Sequence, residues 1–277
     1  MKVTRTIRET REARAELGTI ALVPTMGALH AGHLSLIEAA HRNAPRVAVS
    51  IFVNPTQFGP REDFARYPRP IEDDLRLCRE AGVDLVFNPP MEEMYRPGLF
   101  DIAIDLPALS SVLEGAKRPG HFRGVCQVVA KLFNILTPEF ACFGQKDYQQ
   151  LRIIQAMVEA LDWPIEIIAC PTIRESDGLA LSSRNRYLSR EQRQRALAIS
   201  RALRLAQEQV KAGYRQTNRL IATMRNTLLE QHLLVDYVAA VDPVTFRNVE
   251  EVNGPTLLAI AAHVGDTRLI DNMLVSP

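Results

Sequence analysis

Cysteine is scarce in this 277-residue chain, and the four present, Cys78, Cys126, Cys142 and Cys170, lie far apart and form no C-x-x-C pair. That pattern argues against a disulfide framework or a zinc site and predicts buried thiols in a reducing compartment, the cytoplasm. An excess of charge of one sign is also missing: 33 Lys plus Arg face 32 Asp plus Glu, a net +1. No chain-wide field would draw the protein onto nucleic acid or an anionic membrane, so any site for a polyanion has to be local. Long apolar runs are lacking as well. None approaches the ~18 residues needed to span a bilayer, and residues 1–17 interleave Arg and Glu where a secretory leader would carry an apolar stretch. A soluble protein without a targeting segment is expected. No internal repeat or low-complexity tract is visible.

What the chain does have is an ordinary globular balance, 47% apolar and 23% charged, over a length that exceeds the usual ~150 residues per domain. Two domains are predicted. Residues 19–24 form a short apolar run halted by proline, and a helical stretch follows over about 29–42, which reads as strand, turn, helix. The rhythm continues, with strand candidates over 46–53, 83–87, 139–143 and 165–170 and helical spacing over 71–81, 124–136 and 148–161. Such alternation predicts an α/β fold, a Rossmann-like parallel sheet with helices on both faces, over residues 1–171. Beyond residue 171 the pattern changes. Ser189 with Gln192 forms a candidate capping box opening a long helix to about 213, a second helix runs to about 232, and strand-like runs lie at 234–241, 257–263 and 268–271. A smaller α+β C-terminal domain, residues 172–277, is expected to close over the site.

In parallel α/β sheets ligands bind beyond the carboxyl ends of the strands, and polar clusters fall where the apolar runs stop, at 24–33, 54–57 and 144–150. His30 and His33 are three residues apart after the first apolar run, a spacing that puts two imidazoles on one helix face beside open N–H groups at a helix start. Phosphate suits that position, and Gly32 leaves a surface where a nucleoside can lie. Asn54, Gln57 and Gln150 offer amides for hydroxyl and carboxylate oxygens. Lys146-Asp147, after Gly144, brings a cation to a strand end, and Ser182-Ser183-Arg184 offers two hydroxyls and a guanidinium fork for phosphate. Arg118 and Arg123 are further candidate anion contacts. Each feature has a plainer alternative: histidines on a solvated face, a turn-forming Asn before Pro, a solvated charge pair, an interdomain turn.

The run PTMGALHAGH, residues 24–33, resembles the H-x-G-H signature of the nucleotidylyltransferase superfamily. Further blocks, NPTQFG at 54–59, YPR at 67–69, HFRG at 121–124, FGQKDYQQ at 143–150 and LSSRN at 181–185, together resemble the pantoate–β-alanine ligase family in order. The resemblance covers most of residues 19–190. It implies ATP-dependent condensation of (R)-pantoate with β-alanine through a pantoyl adenylate, giving pantothenate, AMP and pyrophosphate. It further implies that Met26, Gly27, Ala28, Leu29, His30, Ala31, Gly32, His33, Gly144, Gln145, Lys146, Asp147, Ile173, Leu181, Ser182, Ser183 and Arg184 bind ATP, with His33, His30 and Lys146 catalytic. Gln57 and Gln150 would hold pantoate with Asn54 nearby, and Gln57 would also approach β-alanine. Mg²⁺ accompanies ATP, with Asp73 as its candidate ligand or, by a one-residue slip, Asp74; acidic residues favouring a helix's first turn explain the same run. The resemblance also implies a homodimer acting on small molecules, with no tightly bound organic cofactor, no nucleic acid and no membrane. Two rival readings remain, an AMP transferase that needs no amine and a nucleotide-sensing module without turnover.

Overall fold

The structure, a computed structural model, describes residues 1–60, 62–98 and 102–277. In chain order the elements are β1 (Lys2–Thr4), α1 (Ile7–Ala15), β2 (Ile20–Thr25), α2 (Ala31–Asn43), β3 (Arg46–Ile51), a 3-10 turn (Pro55–Gln57), α3 (Ile71–Glu80), β4 (Leu85–Phe87) and the short helix α4 (Met91–Met94). There follow α5 (Pro107–Ser110), α6 (Leu113–Lys117), α7 (His121–Leu136), β5 (Phe140–Gly144), a 3-10 turn (Gln145–Asp147), α8 (Tyr148–Ala160) and β6 (Glu166–Cys170). The remainder comprises a 3-10 segment (Ser183–Tyr187), α9 (Arg190–Lys211), α10 (Thr217–Leu229), β7 (Leu234–Val241), β8 (Thr256–Val264) and β9 (Thr267–Val275).

The chain divides into two compact units. The first comprises Met1–Ser110, Arg118–Gln145 and Gln149–Pro171; the second comprises Ser111–Lys117, Lys146–Tyr148 and Thr172–Pro277. Six parallel strands in the order β1-β4-β3-β2-β5-β6 form the sheet of the first unit. Period-two geometry sends alternate side chains to opposite faces, and β2 shows the consequence. Ile20 and Leu22 enter a core with Val125, Phe133 and Ile154 from α7 and α8. Ala21 and Val23 enter a second core with Leu36, Ile37 and Cys78 from α2 and α3. Both faces are covered, which is why the strands read as continuous apolar runs. All four cysteines are free and buried. The strand order reverses between β2 and β5, so the turn after β2 and Gly144 at the end of β5 flank the switch point where such sheets open a crevice.

In the second unit, α9 and α10 pack Ala198, Leu203, Leu220 and Met224 onto one face of the antiparallel sheet β7-β8-β9, against Leu258, Ile260 and Ala262. The Ser189–Gln192 capping box starts α9. No helix of the described residues is long and apolar enough to cross a membrane.

Two differences from the sequence expectation have clear causes. Strand β1 and helix α1 lie outside the sequence expectation: β1 has three residues, and α1 is polar on most sides, its start marked in the sequence only by the Thr6–Glu9 capping box. Helix α2 begins at Ala31 and not near 29, because Gly27 (φ +81°) and Ala28 (φ +51°) turn left-handed first.

Candidate active site

In the first unit the turn from β2 into α2 is saturated with local hydrogen bonds. Thr25 Oγ1 donates to the Ser50 carbonyl at 2.8 Å and accepts the Gly27 N–H at 3.1 Å. The successive N–H groups of Ala28 and Leu29 both donate to Asp74, to Oδ2 at 2.8 Å and Oδ1 at 2.7 Å. His30 is the N-cap of α2. Its Nδ1 accepts the Gly32 N–H at 3.1 Å, and Nδ1 of His33 accepts the His30 N–H at 3.3 Å, a capping box built from two imidazoles. The expected pairing of these rings is present, with centroids 4.1 Å apart, but it arises from the cap and not from a shared helix face. The expected open amides are a second correction. The Gly32 N–H is taken by His30 Nδ1, and the His33 N–H by the His30 carbonyl at 2.8 Å. Because each Nδ1 accepts, a neutral ring carries its proton on Nε2, so the network assigns both histidines as Nε2–H donors.

Gln57 is held from several sides. Asn54, 1% exposed, donates through Nδ2 to Gln57 Oε1 and to the Gly124 carbonyl, each at 3.1 Å, and its Oδ1 accepts from Tyr95 Oη at 2.7 Å. Asn54 therefore acts on Gln57, with its amide protons already committed. Gln57 Nε2 reaches Met26 Sδ at 3.1 Å, which joins the two polar clusters. Its backbone carbonyl accepts from His121 Nδ1 at 2.8 Å, while His121 Nε2 faces an Arg118 terminal nitrogen at 3.0 Å. His121 is then neutral with its proton on Nδ1. Arg118 forms a fork with Glu62 at 2.8 and 2.7 Å, so it is a structural cation here and not the anion contact the sequence allowed. Burial of Glu62 opposes its ionisation, yet the Arg118 hydrogen bonds and charge outweigh it and hold the carboxyl below its ordinary value. Gly124 makes this packing possible: a Cβ there would lie 2.3 Å from the Thr56 carbonyl oxygen and 2.7 Å from the Gln57 nitrogen. Gln150 sits half-buried in the first turn of α8.

The block 144–147 is divided: Gly144 and Gln145 group with the first unit, Lys146 and Asp147 with the second. In the second unit the Lys146 carbonyl accepts from Asn272 Nδ2 at 2.8 Å, and Lys146 Nζ lies 3.7 Å from Asp147. Ile173 accepts the Leu181 N–H at 3.0 Å, closing a small hairpin with the Arg174–Ala180 bridge. Ser182 caps the 3-10 segment by accepting the Arg184 N–H at 3.3 Å, which leaves its hydroxyl proton as a donor, and Ser183 is buried. Arg174 pairs with buried Asp271 at 2.6 and 3.0 Å, tying the hairpin to β9.

The whole chain, and not only this turn, has known relatives. The family model for pantoate-beta-alanine ligase matches residues 2–274. The chain belongs to the pantoate–β-alanine ligase family. A pantothenate synthetase of Chloroflexus aurantiacus is 53% identical over 277 residues, covering 99% of this chain and 98% of that protein. The crystal structure of pantothenate synthetase from Thermus thermophilus superposes with a TM-score of 0.95 at 44% identity, covering 100% of both chains. That of pantoate-beta-alanine ligase from Francisella tularensis, complexed with β-γ ATP and β-alanine, has a TM-score of 0.82 at 35% identity, over 99% of this chain and 97% of that one.

A metal ion carried in with ATP would need a carboxylate nearby, and the two acidic candidates differ sharply. Both oxygens of Asp74 hold backbone N–H groups, whereas Asp73 has a side chain 71% exposed and only a loose 3.6 Å contact with Arg76. Among the described residues no three His, Cys, Asp or Glu side chains cluster as a metal site. One exposed carboxylate fits Mg²⁺ carried mainly by phosphates and water, and does not fit a resident metal. Sequence reasoning missed Asn272, the His121–Arg118–Glu62 group and the packing role of Gly124. The last two touch the 121–124 block, which offers no chemical reason in its sequence to choose among its residues.

Proposed function

We infer that this chain joins (R)-pantoate to β-alanine at the expense of ATP, releasing AMP and pyrophosphate, by way of pantoyl adenylate. The observation that carries the reading is the pair of imidazoles fixed through their Nδ1 atoms at the start of α2, with the Gln57 amide linked to the same turn through Met26. Condensing a carboxylate with an amine at neutral pH fails for lack of a leaving group, and adenylation supplies one. A pantoate carboxylate oxygen attacks the α-phosphorus, and the bond from that phosphorus to the bridging oxygen breaks, releasing pyrophosphate. The β-alanine amine then attacks the acyl carbon, AMP departs, and the nitrogen loses a proton to solvent or a nearby base.

The first step needs alignment and neutralisation of developing charge more than covalent help. His33 and His30 donate to phosphoryl oxygens, and Lys146, Ser182, Ser183 and Arg184 neutralise and hold the polyphosphate. Gln57 and Gln150 hold pantoate without adding a competing charge. Mg²⁺ enters as part of the MgATP substrate, where it offsets phosphate charge, and Asp73 is the residue that would meet it. A homodimer, implied by the family resemblance, belongs to this reading and is checked by light scattering.

The deciding experiment is pyrophosphate release from MgATP with pantoate, with and without β-alanine, while trapping adenylate. Adenylate formed without amine and converted by β-alanine to pantothenate and AMP upholds the reading. Pyrophosphate release that never yields pantothenate points to the AMP-transferase rival, and ATP binding without turnover to the sensing module.

A further inference from the structure

We propose that Asp74 is a positioning residue for adenylate formation, holding the histidine turn in its reactive shape without touching substrate. Consecutive N–H groups in a left-handed turn form a concavity that ordinarily attracts an anion. Here the anion is the protein's own: Asp74, 1% exposed, accepts from Ala28 and Leu29 with one oxygen each. The turn is not relaxed without it, since Ala28 has a Cβ and sits at φ +51°. Gly27, at φ +81°, is where the carboxylate passes closest: a Cβ there would lie 2.8 Å from Asp74 Oδ2 and 3.0 Å from Ile51 Cγ2. His30 follows Leu29 directly, and its ring fixes the cap that fixes His33. A chain of contacts thus runs from a carboxylate on α3 to both imidazoles. Two N–H groups that would otherwise compete for a nucleotide phosphate are also taken out of play. Phosphate contacts from this turn are left to the histidine rings.

The inference rests on the two-step reaction read above, and its test separates the two. Asp74→Asn keeps size and one acceptor but sets an amide N–H against a backbone N–H. Each half-reaction is measured per folded molecule: pyrophosphate release from MgATP and pantoate, and pantothenate formation from supplied pantoyl adenylate and β-alanine. A loss of about 10²-fold in the adenylation rate at saturating substrates is expected, the scale of a misplacement near 1 Å. Pantoate KM should stay within about threefold of wild type, and the amine step, which only expels AMP and makes no new bond at phosphorus, should lose clearly less than adenylation. Equal losses in both halves, or a lowered Tm with unchanged adenylation per folded molecule, overturn the inference and leave Asp74 a purely structural residue. Should Asp74→Asn fold poorly, the same split is read on Asp74→Glu, which keeps the charge and displaces both oxygens by one methylene, with the same outcomes deciding. A wild-type enzyme that releases no pyrophosphate overturns the reaction reading and this inference with it, whereas normal wild-type release with an unaffected variant overturns this inference alone.

Discussion

The turn at residues 26–33 and the segment at residues 172–188 are built on opposite physical plans. In the first unit the turn is fixed by side-chain to backbone bonds, buried at Thr25 and Asp74 and part-buried at the histidine cap. In the second, the hairpin closes on backbone bonds but is tied to β9 and α9 by charged pairs: Arg174 with Asp271, and Arg193 with Glu175 at 2.8 Å and Asp177 at 2.6 Å. The Arg193 hydrogen bond to Glu175, ahead of the opposing desolvation, raises its pKa, so this arginine stays charged throughout. Arg193 and its partners keep between a quarter and a third of their surfaces in water. Backbone bonds into a dry interior set geometry to within narrow limits and are insensitive to salt, while part-exposed ion pairs are weaker and screened. On the proposed reading, the region that makes bonds is the more rigidly specified one, and the region that grips polyphosphate is tied to its neighbours by charge.

Gly124→Ala should break the first plan most severely. The added methyl has backbone on both nearest sides, at 2.3 Å from the Thr56 oxygen and 2.7 Å from the Gln57 nitrogen, and no flexible side chain to yield. A destabilisation near or above the ~3 kcal/mol upper end of overpacking costs is expected, with pantoate KM raised about tenfold or more in whatever folds. Thermal unfolding with pantoate titration measures both. An unchanged KM would show that the 3-10 turn does not govern Gln57.

Asp271→Asn is the matching break in the second plan. It leaves Arg174 without its carboxylate beside β9, but Arg174 keeps a quarter of its surface in water and can rehydrate. The loss should fall toward or below the lower end of the roughly 3–5 kcal/mol seen when a fully buried pair is split. ATP KM should rise several-fold while pantoate KM holds. If pantoate binding weakens equally, the two regions are not separately built.

Much of this architecture is legible in the amino-acid sequence. Parallel strands buried on both faces leave an apolar signature, so the main strands and helices lie within a few residues of their expected bounds, and β7 coincides with its expected run. The residues that differ in chemistry from their neighbours, His30, His33, Gln57 and Lys146, are also visible as residues. Their contacts are not. The spacing of two histidines states proximity, but a ring that caps a helix and a ring on its face share that spacing. Asp74 reads as one of three acidic residues opening α3, because burial of one member of a polar run depends on a turn 45 residues away. Asn272 carries no local pattern, since its partner is a backbone carbonyl at Lys146. A cut along the sequence likewise cannot assign Lys146–Tyr148 to the unit that contains residues 172–277.

The smallest expected effect comes from the charged fork beside the Gln57 turn, Arg118 with Glu62. The Glu62 side chain is 25% exposed, so the pair should be worth roughly 1–2 kcal/mol, between an exposed ion pair and a buried charge-assisted bond. Its carboxyl is held below the ordinary value of 4.5 in the folded protein, so the unfolded chain binds the proton more readily. The contribution is therefore fully present above about pH 4.5 and is lost as pH falls through the depressed folded value. Glu62→Gln should be less stable than wild type at pH 7, and the gap should close as the pH is lowered through and beyond the depressed folded value, which denaturant titrations at stepped pH measure directly. Pantoate KM should rise only slightly in the variant at pH 7, because His121 still donates to the Gln57 carbonyl when Arg118 loses its carboxylate. A stability gap that stays constant with pH would mean that Arg118 gains nothing from the Glu62 charge, and that the Gln57 turn is held by its Asn54 and His121 bonds alone.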